Sequence, residues 1–217
     1  LAYATSDMPD FGAAQAAIHA SEYSAAPYYV HESFHDSHIP NVVTTVLASY
    51  RGYDTLGETT VVFTAAVAVM LILGRKRSLK EDLLKAVKTD SILVVGSKML
   101  IPYIMLFALY VQFHGDFGPG GGFQAGVIFA AAFILHGLVL SLRHTQKVLS
   151  MNTVEKLIPI GVLLYAGTGV LCMVMGGKYL EYNALVPSNP VKGQHYGILA
   201  VELGVGITVF SAMLALF

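Results

Sequence analysis

Four ionisable side chains interrupt long apolar stretches of this sequence: Glu58, Lys98, His136 and Glu202. An ionisable group costs roughly 2.5–3.5 kcal/mol at the centre of a bilayer, so such residues are rare there and mark ion or proton pathways. Carboxylates, imidazoles and amines bind and release protons. The set therefore predicts a relay of protonatable groups in a transport protein without catalytic chemistry of its own.

The depths of these groups follow from the helix rise of about 1.5 Å per residue. Lys98 and His136 each stand six residues from a predicted cytoplasmic end of a span, whereas Glu202 and Glu58 stand six and two residues from predicted outer ends. The expected pairs are Lys98 with His136 in the inner leaflet and Glu58 with Glu202 in the outer leaflet. About 12 Å of height in a ~30 Å core argues against a salt bridge between Lys98 and Glu202.

Simpler interpretations remain open for three of the four groups. Lys98 can snorkel to the inner interface on its long apolar stem. Glu58 is shallow enough to be solvated, and a neutral His136 can hydrogen-bond to a neighbouring helix. Glu202 is the hardest to explain in this way, because a short acidic side chain snorkels poorly.

The composition of the chain is that of a membrane protein. Of its 217 residues 55% are hydrophobic and 12% are charged, against about 25% charged in soluble domains. Five apolar stretches approach the length of about 20 residues that a spanning helix needs. We predict an all-α integral membrane helix bundle whose transmembrane helices run approximately over Leu56–Leu73, Ile92–Phe113, Phe123–Leu142, Leu157–Gly176 and Tyr196–Phe217.

The loops between these stretches predict the orientation, since Lys and Arg concentrate in cytoplasmic loops. Residues 74–89 and 143–156 are basic, whereas residues 114–122 contain no Lys or Arg. The N-terminus is therefore expected outside and Phe217 in the cytoplasm. The predicted segments are an extracytoplasmic polar segment (1–40), a short helix with one span (41–73), a cytoplasmic basic linker helix (74–89) and a four-helix membrane module (90–217).

The polar N-terminal segment holds acidic residues and histidines but no Lys or Arg. His31, His35 and His38 have helix-compatible spacing, but neither cysteines nor a His-Glu-x-x-His pattern supports a metal site. We predict no metal site and no cofactor. Asn41–Tyr50 is too short to span a bilayer, and we expect a helix capped by Asn41 that lies at the interface or packs against a partner.

Two polar, glycine-containing segments flank the predicted spans. The loop HGDFGPGGGFQAG surrounds Pro119 with Gly118, Gly120, Gly121 and Gly122, which predicts a sharp turn with positive φ available. Gly122 and Gly126 then form a small-xxx-small pair that permits close helix packing. Candidates for the lining of a pathway mouth in this loop are His114, Asp116 and Gln124. In the other segment, RGYDTLGE, Arg51 and Asp54 can pair locally or face another subunit.

The segment HGDFGPGGGFQAGVIFAAA, from His114 to Ala132, resembles the signature of the B subunit of Mrp-type multisubunit sodium/proton antiporters, also called MnhB. That resemblance extends over residues 90–217. Residues 40–73 are similar to the small E-type subunit of membrane-bound hydrogenases and to the matching C-terminal part of the large antiporter subunit. The chain thus resembles a fusion of two neighbouring small subunits. In that family a membrane helix precedes the E-type outer segment, and Leu1–Ala4 stand at its place here.

The resemblance implies a role in the sodium- and proton-translocating part of a larger complex of a prokaryotic cell membrane. It implies that Asp54 and Glu58 matter for ion passage in the first module. In the second module it points to Lys98, His114, Pro119 and Phe123. The expected partners are other subunits of an Mrp-type or hydrogenase-like complex, the bilayer, sodium ions and protons, and not nucleic acid.

Three functions are compatible with the sequence. The leading hypothesis is a subunit of a cation/proton antiporter that contributes to the ion path and to assembly. A second is the antiporter-like membrane part of a membrane-bound hydrogenase or related respiratory complex, with catalysis in other subunits. A third is a purely architectural subunit, in which the glycines serve packing and the buried charges form static bridges.

Overall fold

A computed structural model describes residues 24–73 and 91–217 of the chain, so the predicted linker helix and the first 23 residues lie outside the described part. Within these two ranges five helices are long and apolar enough to cross a membrane. This confirms the predicted all-α membrane bundle. The spanning helices are α3 (Gly52–Leu73), α4 (Ser91–His114), α5 (Gly122–Leu140), α7 (Met151–Val174) and α8 (Pro190–Leu216).

Shorter helices connect and cover these spans. They are α1 (Ala25–Ser37), α2 (Val42–Thr44), a π-helix that continues α2 (Thr45–Tyr50), α6 (Leu142–Val148) and a 3-10 helix (Tyr182–Leu185). Asn41 caps α2 as expected, because its side-chain oxygen accepts a hydrogen bond from the backbone N–H of Val43 at 3.0 Å. The helical segment from residue 42 to residue 50 packs against α1, α3 and α8 of this same chain.

Among the spans that begin earlier than their apolar runs, α7 and α8 start at polar N-caps. α7 starts at Met151, where the Ser150 hydroxyl accepts from the N–H of Thr153 at 3.2 Å. α8 starts at Pro190, where the Asn189 side chain accepts from the N–H of Lys192 at 3.1 Å. In both cases a polar N-cap, rather than hydropathy, sets the first turn.

Helix α8 is the centre of the bundle and packs against α3, α5 and α7. Some of its close contacts are made where glycines face each other. A Cβ atom on Gly126 of α5 would lie 2.7 Å from the carbonyl oxygen of Gly206, and one on Gly161 of α7 would lie 2.5 Å from that of Gly204. Only residues without a side chain allow these backbones to approach so closely. The predicted close packing at Gly122 and Gly126 is confirmed.

One end of the bundle gathers the polar turns. The fully buried Tyr182 donates from its hydroxyl to the carbonyl oxygen of Ala48 at 2.8 Å, and Tyr165 donates to that of Gly52 at 2.8 Å. The start of α3, the α4–α5 loop, the end of α7 and the start of α8 all meet here. Spans that cross the bilayer in alternating directions must bring these segments to the same end. The predicted loops also place them at one end.

Candidate functional site

A cavity of about 320 Å³ lies inside this polar end of the bundle. It is bounded by the 42–50 helix, α3, the α4–α5 loop, α7 and α8. Its wall is mostly apolar, with a small number of hydroxyl, amide and carboxyl groups. The polar side chains that line it belong to Thr44, Thr55, Glu58, Thr59, Gln124, Tyr165 and Glu202.

The carboxylate of Glu202 points at the glycine loop. A Cβ atom on Gly115 would lie 3.0 Å from its Oε2, and one on Gly121 would lie 3.1 Å from its Oε1. Gly121 also has a φ of 119°, which L side chains rarely adopt. The glycines therefore leave room for the carboxylate as well as turning the chain. Within residues 24–73 and 91–217 the carboxylate of Glu202 has no hydrogen-bond or ion-pair partner.

Glu58 reaches the same cavity from α3. The structure thus brings together the two carboxylates that the depth estimate paired in the outer leaflet. The two groups differ in exposure, since Glu58 is exposed and Glu202 is partly buried. Glu58 accordingly lies at the open side of the cavity and Glu202 at its inner side.

The hydroxyl groups of the cavity donate their protons to backbone carbonyls. Thr44 donates to Gly115 at 2.6 Å, Thr55 donates to Leu47 at 2.8 Å, and Thr59 donates to Thr55 at 2.7 Å. A hydroxyl oxygen that donates in this way keeps lone pairs with which to accept. With two carboxylates nearby, the cavity offers oxygen atoms that suit protons and small hard cations.

A third acidic group lies beside the cavity. Asp116 is buried and pairs with His195 at the start of α8, with 2.5 Å between Oδ2 and Nδ1. Burial raises the pKa of Asp116 above its ordinary value, and the charge and hydrogen bond of His195 oppose that rise. The side chain of His195 is half-exposed.

Comparison with known families assigns the larger part of the chain. The family model described as "Domain related to MnhB subunit of Na+/H+ antiporter" matches residues 92–215. The chain belongs to the MnhB family. A second family model, that of the E subunit of MBH, matches residues 12–90. The resemblance to both families that the sequence motifs implied is thereby confirmed.

Two curated relatives of this MnhB chain carry antiporter names. A probable K(+)/H(+) antiporter A/B subunit of Rhizobium meliloti is 27% identical over 220 residues, which cover 87% of this chain and 22% of that protein. The "Putative antiporter subunit mnhB2" of Staphylococcus epidermidis is 33% identical over 125 residues, or 56% of this chain and 87% of that protein. The MnhB chain therefore spans less than a quarter of the Rhizobium meliloti protein.

Two solved structures resemble the whole bundle. A chain of the Mrp complex from Dietzia sp. DQ12-45-1b superposes with a TM-score of 0.68 and 27% identity, covering 92% of this chain and 23% of that chain. A chain of the membrane-bound sulfane sulfur reductase, an archaeal respiratory membrane complex, superposes with a TM-score of 0.71 and 27% identity. That match covers 99% of this chain and 88% of the other.

The remaining candidates of the MnhB module lie away from the cavity. Lys98 is exposed on α4, with no hydrogen-bond or ion-pair partner in the described part of the chain. His136 hydrogen-bonds through Nδ1 to the Thr145 hydroxyl of α6 at 2.7 Å. The structure therefore shows no contact that joins Lys98 to His136, and His136 instead makes a hydrogen bond to a neighbouring helix.

The motif residues at the polar end fall into two groups. Gly120, Gly121, Gly122 and Phe123 line the cavity, whereas Gly118 and Pro119 form the outer part of the turn. His114 stacks on Tyr110, with ring centroids 4.9 Å apart. Asp54 does not reach the cavity, and its carboxylate accepts from Nε of Arg51 at 2.6 Å. The local ion pair expected for that segment is present.

His195 was not among the predicted site residues, and Asn41 was predicted only as a helix cap. No local pattern marks His195, because its partner Asp116 stands in another loop of the MnhB module. Asn41 was expected as a cap, but its amide also donates to the glycine loop at 2.7 Å. Within the described ranges no group of three or more His, Cys, Asp or Glu residues is arranged to hold a metal ion.

Proposed function

We propose that this chain is a membrane subunit of a multisubunit cation/proton antiporter and contributes the Glu58–Glu202 cavity to the ion-translocation path. It supplies binding groups and packing surfaces, with no catalytic chemistry of its own. The observation that carries the proposal is the Glu202 carboxylate, which faces the cavity without a partner in the described residues. The antiporter names of the relatives support the same role.

The chemistry of antiport fits a carboxylate in this position. An ionised carboxylate away from water is costly, so it is neutralised either by a proton or by a bound cation. A cation that binds to the carboxylate must displace the proton, and a proton must displace the cation. This competition at Glu202 couples the two flows, and Glu58 at the open side supplies a second exchangeable group.

The orientation belongs to the same proposal, with the N-terminal segment outside and Phe217 in the cytoplasm of a prokaryotic cell. Three basic residues, Arg143, Lys147 and Lys156, stand at the end of the bundle opposite the cavity. Basic loops remain on the cytoplasmic side. The cavity then opens in the outer leaflet.

Cation-dependent proton flux in vesicles that carry the whole complex tests the proposal. Glu58→Gln and Glu202→Gln remove a charge with little change in shape, and Glu32→Gln makes the same change on an exposed carboxylate of α1, outside the cavity. We expect flux to fall in the two cavity variants and to persist in the control, with sodium and potassium added separately. A native gel must show that the complex remains assembled.

Two results would contradict the proposal. Normal flux in Glu202→Gln would remove the carboxylate from the path. Flux that falls only in proportion to lost assembly would favour the architectural hypothesis, in which the cavity serves packing.

A second candidate function is a membrane subunit of a respiratory complex. The specific observation is the end-to-end match with a chain of the sulfane sulfur reductase, of which 88% is covered, against 23% of the Mrp chain. Purification of the native complex distinguishes the two functions. Co-purifying iron–sulfur subunits would favour the respiratory complex, whereas antiporter subunits alone would favour the antiporter.

A further inference from the structure

Asp116 and His195 join the outer surface to the Glu202 cavity. Asp116 is 6% exposed, whereas the side chain of His195 is 47% exposed. The Oδ2–Nδ1 distance of 2.5 Å makes this a direct hydrogen bond between a surface group and an interior group. A buried carboxylate with one half-exposed imidazole partner has a connection to water through that partner.

The same pair stands next to Glu202. Oε2 of Glu202 lies 3.0 Å from the position of a Cβ on Gly115, which is the residue before Asp116. His195 and Glu202 are seven residues apart on α8, so they share a helix face and differ in depth by about 10 Å. Asp116 therefore contacts the exposed imidazole and follows directly the glycine that faces the carboxylate of the cavity.

We infer that the Asp116–His195 pair is the proton-exchange site through which the outer aqueous phase reaches Glu202. This inference rests on the proposed role of Glu202 in ion translocation. The imidazole takes a proton at Nε2 and transfers the proton of Nδ1 to Oδ2 of Asp116, which returns the ring to its neutral form. The proton of Asp116 then passes to the Glu202 carboxylate, and Asp116 regains its charge. Each step moves one proton, and the last step passes through water in the cavity, because Glu202 has no hydrogen-bond partner among the described residues.

The burial of Asp116 suits this task. A solvated carboxylate releases its proton near pH 4, whereas burial raises the pKa of Asp116. The opposing influence of His195 prevents the proton from being held too tightly. Other titratable side chains on the surrounding elements are His38 at the end of α1, Glu58 on α3, His114 at the end of α4, Tyr165 on α7, and Lys192 and Glu202 on α8.

The pH profile of antiport in proteoliposomes that contain the whole complex tests the inference, between about pH 5 and pH 8. In His195→Gln the pKa of Asp116 rises further because the opposing influence of the His195 ring is gone. Asp116 then stays protonated to higher pH and accepts fewer protons. We expect the acid-side decline of the rate to move up by about one pH unit or more, the size of effect that an adjacent opposite charge has.

Asp116→Asn provides the second variant, since asparagine keeps the shape and can still accept from Nδ1. We expect its rate to fall about tenfold or more at every pH, because a positioned proton-transfer group contributes at least that much. His35→Gln is the matched control. His35 also neighbours a carboxylate, Asp36 at 3.7 Å, but its side chain is 84% exposed and outside the cavity.

The outcomes separate this inference from the proposed function. If Glu202→Gln stops antiport while His195→Gln reproduces the wild-type pH profile, the pair is a structural clamp and the inference is overturned. The same holds if His195→Gln changes only the amount of assembled complex. If the Glu202→Gln variant transports normally, the proposed function is overturned, and the inference that rests on it is overturned as well.

Discussion

The side-chain amide of Asn41 donates to the carbonyl oxygen of Gly115, 74 residues further along the chain, at 2.7 Å. The same amide donates to Gly118 at 2.7 Å, and the backbone N–H of Asn41 donates to the carbonyl oxygen of Asp116 at 3.1 Å. One asparagine therefore fastens the helix of the first module to the glycine loop of the second. The glycine loop, which forms part of the wall of the Glu202 cavity, is held in place by this connection.

Asn41→Asp separates this connection from helix capping. Aspartate still accepts from the N–H of Val43, but it cannot donate to Gly115 or Gly118. We expect a loss of about 1–3 kcal/mol of stability, because the Gly118 carbonyl oxygen loses its Asn41 donor, the Gly115 carbonyl oxygen keeps only that of Thr44, and a carboxylate oxygen replaces the amide. The midpoint of thermal unfolding of the purified complex measures it.

Asn189→Asp is the control for this prediction, because Asn189 only accepts from the N–H of Lys192 in an exposed cap. Its change should stay within about 0.5 kcal/mol. Equal losses in the two variants would show that capping, and not the link between modules, determines the effect.

Gly122→Ala tests the contact between α5 and α8. The added Cβ would collide with the carbonyl oxygen of Glu202, which is backbone and cannot rotate away. Overpacking of this kind typically costs about 1–3 kcal/mol, and more where backbones must separate. We expect less assembled complex on a native gel. Gly167→Ala on α7 meets no atom within 4 Å and should assemble normally.

The stability of the polar end should depend on pH through Asp116. Burial raises its folded-state pKa above the unfolded value of about 3.9. Its contribution to stability is therefore fully present below pH 4 and is lost as the pH rises through the folded-state pKa. The melting temperatures of Asp116→Asn and wild type should be measured as a function of pH. The variant should not show the loss of stability that Asp116 causes in wild type as the pH rises. A wild-type curve that rises over the same window would contradict the assignment.

Lys98→Met tests the role of the exposed cation on α4. Lys98 stands seven residues from Ser91, about 10 Å into the span, and it has no counter-charge in the described ranges. We expect a neighbouring protein of the complex to supply one, so the variant should lower the fraction of chain in the complex. Lys192→Met, at the exposed start of α8, is the control. Normal assembly of Lys98→Met would favour snorkelling to the inner interface instead.

Local properties of the sequence predicted most of the architecture. The number of spans follows from apolar length, and the cap at Asn41 follows from residue type, because both depend on a few neighbouring residues. The glycine motif of residues 118–122 indicated the turn and the MnhB resemblance. The depth of Glu58 and Glu202 could also be estimated, since helix rise is constant.

Tertiary structure decided what these groups contact. The apolar run around Glu202 shows its depth, but its direction depends on how α8 rotates against the glycines of α5 and α7. The pairing of Asp116 with His195 joins the α4–α5 loop to the first turns of α8, which no helix period connects. Lys98 and His136 share a predicted depth, yet His136 bonds to Thr145 and Lys98 faces outward. Depth is a property of one helix, whereas partners depend on the packing of several.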